Sequence, residues 1–175
     1  MVYEIEPTEK FTFVPKHFFR RFLVETVPSQ LPFVDLLAPM ETLDILLVED
    51  SPNDAHMIQR IVKKEALAHR IHWLKDGAEA LNYFSNKANP RPRLVLLDIK
   101  LPKYTGLEVV ERLRKDEDLW SIPVVMFSTS DQPSDIHSAY RSGANSFLIK
   151  PDSYLDLKTV VRQISEYWLQ TNRAH

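Results

Sequence analysis

Leu43-Asp44-Ile45-Leu46-Leu47-Val48, followed at once by Glu49 and Asp50, is the stretch on which the fold turns. Every residue of the run but Asp44 is aliphatic. A half-exposed strand would alternate apolar with polar, and an amphipathic helix would space its apolar residues three and four apart. A short, nearly unbroken aliphatic run is instead what a parallel strand looks like when both its faces are covered. Leu94–Leu97 (LVLL) and Val124–Phe127 (VVMF) repeat the pattern, and Arg70–Leu74 and Ser146–Ile149 are weaker versions of it.

Helical spacing fills the intervals: Asn53–Leu67, Ala78–Asn86, Leu107–Asp116, Ser134–Ser142 and Leu155–Gln170. Strand and helix thus alternate five times. Parallel neighbours need crossover connections, and the crossover helices must cover both faces of the sheet. The expected fold is α/β: a five-stranded, doubly wound parallel sheet in the flavodoxin-like order 2-1-3-4-5. It should occupy residues 42–175, with an irregular N-terminal extension over residues 1–41.

The chain has 175 residues, of which 44% are hydrophobic and 26% charged, enough to bury a full core. A net charge of -2 offers no basic field for nucleic acid, so direct nucleic-acid binding is not expected. Cysteine is absent, which excludes disulfides, thiolate metal sites and thiol nucleophiles. No apolar run approaches the ~20 residues needed to cross a bilayer, and Met1–Lys10 is too acidic to begin a signal peptide. A cytoplasmic protein with no membrane contact is the expectation. With only three glycines, none sharing a loop, no dinucleotide or P-loop cradle can form.

The polar residues of interest fall at the carboxyl ends of the strands, where open α/β sheets place their sites. Glu49 and Asp50 follow the first strand, and Asp98 ends the third. Ser128 ends the fourth, and Lys150 the fifth. Strands one, three, four and five are contiguous in the expected order, so these side chains should converge. Carboxylates gathered at one edge repel each other unless they hold a proton or a hard cation with oxygen ligands. Mg²⁺ (or Mn²⁺) is the expected cofactor. An aspartate beside such a cation can act as a nucleophile toward phosphorus, with a lysine to pair the transferred group and a hydroxyl to hydrogen-bond it. Thr129 or Ser130 could supply that hydroxyl in place of Ser128.

The motifs V-E-D at 48–50, L-L-D-I-K-L-P-x-x-x-G around Asp98, F-S-T-S at 127–130 and I-K-P at 149–151 resemble receiver domains of response regulators over roughly residues 42–170. The resemblance implies that Asp98 is the phospho-acceptor and that Asp50 and Glu49 serve the metal. It adds the backbone carbonyl of Lys100 to the metal set. It also implies that Ser128 is the switch hydroxyl, Lys150 the phosphoryl-pairing lysine and Phe147 the aromatic that responds to phosphorylation. Phe147 could equally be a packing residue. The same resemblance implies a cis Lys150–Pro151 bond. D-G-A-E-A-L-N-Y-F, I-P-V-V-M-F-S-T-S, G-A-N-S-F-L-I-K-P and S-E-Y-W-L are similar to the small stand-alone regulators that partner phytochrome-type histidine kinases. The implied function is therefore acceptance of a phosphoryl group from a sensor histidine kinase in two-component signalling. Any catalysis would be limited to metal-assisted autophosphorylation from a donor and self-dephosphorylation. The other reading is a phosphate-independent adaptor. A phosphohydrolase is disfavoured because D-I-K-L lacks a carboxylate two residues beyond Asp98 to act as acid or base.

Lys100 departs from the small polar residue common in its place, and its ammonium could fold toward Asp98 or point to water. Lys103 reads as a solvated loop charge. His17, His56, His69, His72, His137 and His175 are scattered and suggest no metal site. Phe11, Phe13, Phe18, Phe19, Phe22 and Phe33 make the first forty residues too aromatic for a solvated tail, while Pro15, Pro28, Pro32 and Pro39 interrupt them. That extension reads equally as a docking arm, a partner-binding segment or a product of start-site choice, with Met40 as the alternative start. No output module is expected after Trp168. Output then passes by contact with an unknown downstream protein or by homodimerisation through the helix 4, strand 5, helix 5 face, with Tyr140, Tyr167 and Trp168 as candidate contacts unless they are core.

Overall fold

The structure, a computed structural model, describes residues 43–67 and 70–173. The readings of residues 1–41, and of His69 and His175, lie outside the described residues. The elements run β1 (Leu43–Val48), α1 (Pro52–Lys64), β2 (Ile71–Leu74), α2 (Gly77–Ser85), β3 (Pro92–Leu97), α3 (Gly106–Lys115), β4 (Val124–Ser128), α4 (Pro133–Ser142), β5 (Ser146–Ile149) and α5 (Tyr154–Ser165). The strands form one parallel sheet in the order β2-β1-β3-β4-β5, the flavodoxin-like order expected.

Successive residues of the central strands feed opposite faces. Leu46, Val48, Val95, Leu97, Val124 and Met126 pack beneath α2, α3 and α4. Ile45, Leu47, Leu94, Leu96, Val125 and Phe127 pack beneath α1 and α5. Both layers are almost wholly buried, and each such side chain contributes about 1.5–3 kcal/mol relative to exposure. Local chemistry starts the helices. Ser51 accepts from the Asp54 amide ahead of α1, and Ser153 does the same for Asp156 ahead of α5. Thr105 and Glu108 form a reciprocal capping box on α3. Gly143 closes α4 in the left-handed region at φ 98°, which a residue with a Cβ would resist.

Three boundaries differ from the sequence reading by more than one residue. β3 begins earlier, at Pro92, a proline being tolerated as the first residue of a strand. α1 ends at Lys64, short of Leu67, because Ala66 turns to φ 50°. The last helix is α-helical only to Ser165 and then widens into a π turn over Glu166–Thr171. There the Ser165 hydroxyl donates back to the Val161 carbonyl at 2.9 Å, and the Arg93 guanidinium takes the Leu169 carbonyl. The wider turn keeps Leu169 in the core.

Candidate functional site

Hydrogen bonds carry the parallel ladder one residue past each strand, and this aims the polar side chains. The Asp98 amide donates to the Val48 carbonyl at 3.0 Å, the Glu49 amide to Leu74 at 2.9 Å and the Lys150 amide to Ser128 at 2.8 Å. Glu49, Asp98, Ser128 and Lys150 are all buried. Asp50 is exposed at the rim.

Asp98 divides its carboxylate. Oδ1 accepts from the Ser128 hydroxyl at 2.7 Å and from the Lys100 amide at 3.3 Å, and Oδ2 accepts from Lys150 Nζ at 2.7 Å. Lys150 also donates to Glu49 Oε2 and lies 3.6 Å from Asp54. Glu49 Oε1 accepts from the Ser51 amide at 3.2 Å, and its carbonyl accepts from the Trp73 indole at 2.7 Å. Glu49, Asp50 and Asp98 each present an oxygen within 4.8 Å of the others, the one such cluster among the described residues. Three hard anionic oxygens at one point suit a small divalent cation.

Burial raises the Glu49 carboxyl above its usual range, with Lys150 opposing and the charge of Asp98 adding to the effect. Burial works to lower the Lys150 ammonium, but the Asp98 and Glu49 carboxylates outweigh it and hold the value above normal. Lys150 is therefore a fixed positive charge between two buried carboxylates, and Ser128 completes a donor pair on Asp98.

The structure brings Glu49, Asp50, Asp98, Ser128 and Lys150 together and chooses among the three hydroxyls. Thr129 is exposed, and the Ser130 hydroxyl donates to Asp135 at 2.5 Å, leaving Ser128 on Asp98. Lys100 touches Asp98 through its amide while its side chain is exposed. Its ammonium makes no ion pair among the described residues. Phe147 is half-buried against the α2–α4 face. Of the proposed contact residues, Tyr140 and Tyr167 are exposed, whereas Trp168 packs on the core.

One expectation is corrected. Lys150–Pro151 is trans, since no cis peptide occurs among the described residues. The isomers before proline differ by only ~0.5–1 kcal/mol, so local sequence does not choose between them. Lys103 is a solvated loop charge, as expected, but it is also paired: its side chain is exposed, and its ammonium donates to Asp76 Oδ2 at 2.6 Å. Sequence reasoning also missed Asp54. Its place four residues after Asp50, in the first turn of α1, is a signal that could have found it.

Comparison with known proteins agrees with this geometry. Residues 45–162 match the response regulator receiver domain family. The probable methanogenesis regulatory protein FilR2 of Methanothrix harundinacea is 43% identical over 143 residues, 80% of this chain and 92% of that protein. Response regulator Rcp1 of Synechocystis is 37% identical over 131 residues, 73% of this chain and 89% of Rcp1. The crystal structure of the Mn²⁺-bound form of Rcp1 superposes with a TM-score of 0.71 at 35% identity, covering 76% of this chain and 99% of that one. The phosphorylated cyanobacterial phytochrome response regulator RcpA gives 0.69 at 34% identity, with 76% and 98% covered. An acidic cluster, a buried lysine and a buried serine on the carboxyl edge of a 2-1-3-4-5 sheet thus coincide with the family match, and the chain belongs to the response regulator receiver family.

Proposed function

We infer that this receiver takes a phosphoryl group on Asp98 from a histidine kinase, with Mg²⁺ or Mn²⁺ held by Glu49, Asp50, Asp98 and the Lys100 carbonyl. The observation that carries this reading is the division of the Asp98 carboxylate between the Ser128 hydroxyl and the Lys150 ammonium beside the acidic cluster. Those are the two donors that a phosphoryl group on Asp98 would need.

In the transfer, an Asp98 oxygen forms a bond to phosphorus as the P–N bond of the donor phosphohistidine breaks. The departing imidazole, protonated on its other nitrogen, leaves neutral with the electron pair. A divalent cation held by Glu49, Asp50 and Asp98 would supply charge neutralisation for the transfer. Lys150 and Ser128, displaced from Asp98, donate to phosphoryl oxygens instead, so their hydrogen bonds are exchanged and not lost. The added charge of roughly -1.5 to -2 then acts on β4 through Ser128 and on β5 through Lys150. Phe147, itself a residue of β5, can report the change by altering its rotamer. Autophosphorylation from a small donor and self-dephosphorylation are the only catalysis assigned, and the cytoplasm is the working compartment.

The similarity to Rcp1 and RcpA supports a phytochrome-type kinase as donor. The downstream partner binds at the face formed by α4, β5 and the start of α5, where Tyr140, Ile149, Tyr154 and Leu155 are exposed, and a homodimer would use that face too.

Intact mass after incubation with acetyl phosphate and Mg²⁺ tests the chemistry. One added phosphoryl group in the wild type, absent from Asp98→Asn and from a metal-free control, is expected. An adduct that persists in Asp98→Asn, or none with beryllofluoride also failing to bind, refutes this assignment and favours the phosphate-independent adaptor.

A further inference from the structure

We propose that the ion pair between Lys103 and Asp76 is a latch that positions the loop between β3 and α3 for cation binding, so that both are positioning residues of the acidic site although neither touches it. This rests on the reading of Glu49, Asp50 and Asp98 as a divalent-cation site.

The loop spans residues 99–105 and contains Lys100, whose amide lies on Asp98. Its ends are closed on each other. The Gly106 amide donates to the Ile99 carbonyl at 2.9 Å, and a Cβ on Gly106 would lie 2.1 Å from the Asp98 carbonyl oxygen. Its middle is held from outside by the turn before α2. The Gly77 amide donates to the Pro102 carbonyl at 3.3 Å, and a Cβ on Gly77 would lie 2.0 Å from the Tyr104 carbonyl oxygen. The Arg112 guanidinium covers the Tyr104 ring at 4.4 Å.

Lys103 is the keystone of this contact. Its φ of 68° is left-handed, a region that a side chain beyond glycine or asparagine disfavours. A lysine held there needs a compensating interaction, and the 2.6 Å contact with Asp76 is one. Asp76 is committed as well: Oδ1 caps α2 by accepting the Glu79 amide at 2.8 Å, and Oδ2 takes Lys103. The hydrogen bond from Lys103 depresses the Asp76 carboxyl, and the same bond raises the lysine. The latch thus fastens the middle of the loop to a rigid helix start, three residues from Lys100.

A purely superficial pair would behave differently. Lys103 is 62% exposed, and exposed ion pairs contribute little to global stability. Loss of the pair should therefore leave unfolding nearly unchanged while loosening the loop. Isothermal titration of Mg²⁺ into the full chain separates the two cases, using wild type, Lys103→Gln, Asp76→Asn and the double variant. Asparagine keeps an oxygen for the α2 cap. Each single variant should weaken Mg²⁺ binding by roughly three- to tenfold, below the ~10- to 100-fold loss typical of groups that touch a metal ligand. The double variant should be no worse than either single, because both remove one interaction. Lys103→Gly, which supplies the backbone conformation without the ammonium, should behave as Lys103→Gln does, and Lys103→Arg should restore affinity. Urea midpoints in EDTA should barely move.

Mg²⁺ affinity unchanged in the singles, additive losses in the double, or losses that track a fall in stability would overturn the latch. A wild type that binds no Mg²⁺ would overturn the reading of the acidic site, and the latch with it.

Discussion

Replacing Lys150 with methionine should destabilise the metal-free protein by about 2–4 kcal/mol at neutral pH, and the deficit should shrink on mild acidification. Methionine keeps an unbranched stem of similar reach, so packing is largely conserved and the charge alone is lost. The side chains of Lys150, Glu49 and Asp98 are 6%, 2% and 9% exposed, so both carboxylates lose a buried counter-charge. Removing one partner of a buried pair costs about 3–5 kcal/mol. Protonation sets a ceiling. At pH 7 a carboxyl with an ordinary value near 4.3 can be neutralised for about 4 kcal/mol, and at pH 5.5 for about 1.6 kcal/mol. Glu49, already raised by burial, is the group that takes the proton. A folded variant that binds more protons than its unfolded chain gains stability as pH falls. The gap to wild type should therefore close by about 2 kcal/mol between about pH 7 and 5.5. Urea unfolding followed by circular dichroism in EDTA measures this, with a midpoint shift at neutral pH of roughly 1–2 M. Equal stability at neutral pH, or a gap that does not close, would refute the account of Lys150 as the counter-charge of the resting site.

Gly106→Ala should lose at least about 2 kcal/mol and most phosphorylation from acetyl phosphate, because its Cβ would meet the Asp98 carbonyl oxygen at 2.1 Å, and backbone cannot yield as a side chain can. A wild-type melting temperature would contradict this. Arg114→Met should cost about 2–3 kcal/mol without changing Mg²⁺ affinity, since Arg114 bonds the carbonyls of Gly143, Trp120 and Ile122 and the side chain of Asn145, all remote from the site. Calorimetric melting and Mg²⁺ titration read the two halves. Glu108 is depressed by hydrogen bonds from Thr105, so its contribution is complete above its unfolded value near 4.5 and is lost as pH falls through the lower folded value. Glu108→Gln should flatten that acid limb in urea midpoints taken down to about pH 3. Amide hydrogen exchange should be faster in α4 than in α1 or α5, and equal protection across the three would argue against the weak anchoring described below.

The sheet was legible because its central strands are aliphatic on both faces, a pattern that short amphipathic segments do not mimic. The convergence of Asp98, Ser128 and Lys150 was legible because strand order dictates which carboxyl ends are neighbours. Their hydrogen bonds were not: 127–130 offers three consecutive hydroxyls, and only the pleat decides that Ser128 faces Asp98 while Thr129 faces solvent. The partner of Lys103 was not legible because Asp76 lies on a different connection, and pairing between loops leaves no periodicity. The π turn after Ser165 was hidden for a related reason. Arg93 meets the Leu169 carbonyl there from β3, and a helical window ending at Gln170 cannot register that bond.

Anchoring is uneven among the helices, and the unevenness lies where a signal would have to leave the site. α1 buries Ala55, Ile58, Ile61 and Val62, and α5 buries Leu157, Val161 and Ile164. α4 buries Ala139 alone and starts at Gln132 with no side-chain cap. Its lead-in is tied by the Ser130 hydroxyl on Asp135 and by the Gln132 amide on Ser130 at 3.4 Å, hydrogen bonds within the segment itself. That segment begins one residue after Ser128, which is fully buried and bonded to Asp98. On the proposed reading, charge arriving at Asp98 would act first on a hydroxyl whose strand is fully buried but whose following loop and helix are weakly anchored. Elements with few buried contacts open at the lowest free energy. The same scarcity of buried side chains that limits what α4 adds to stability would make it the helix best able to move if Ser128 changed partner on phosphorylation, as proposed.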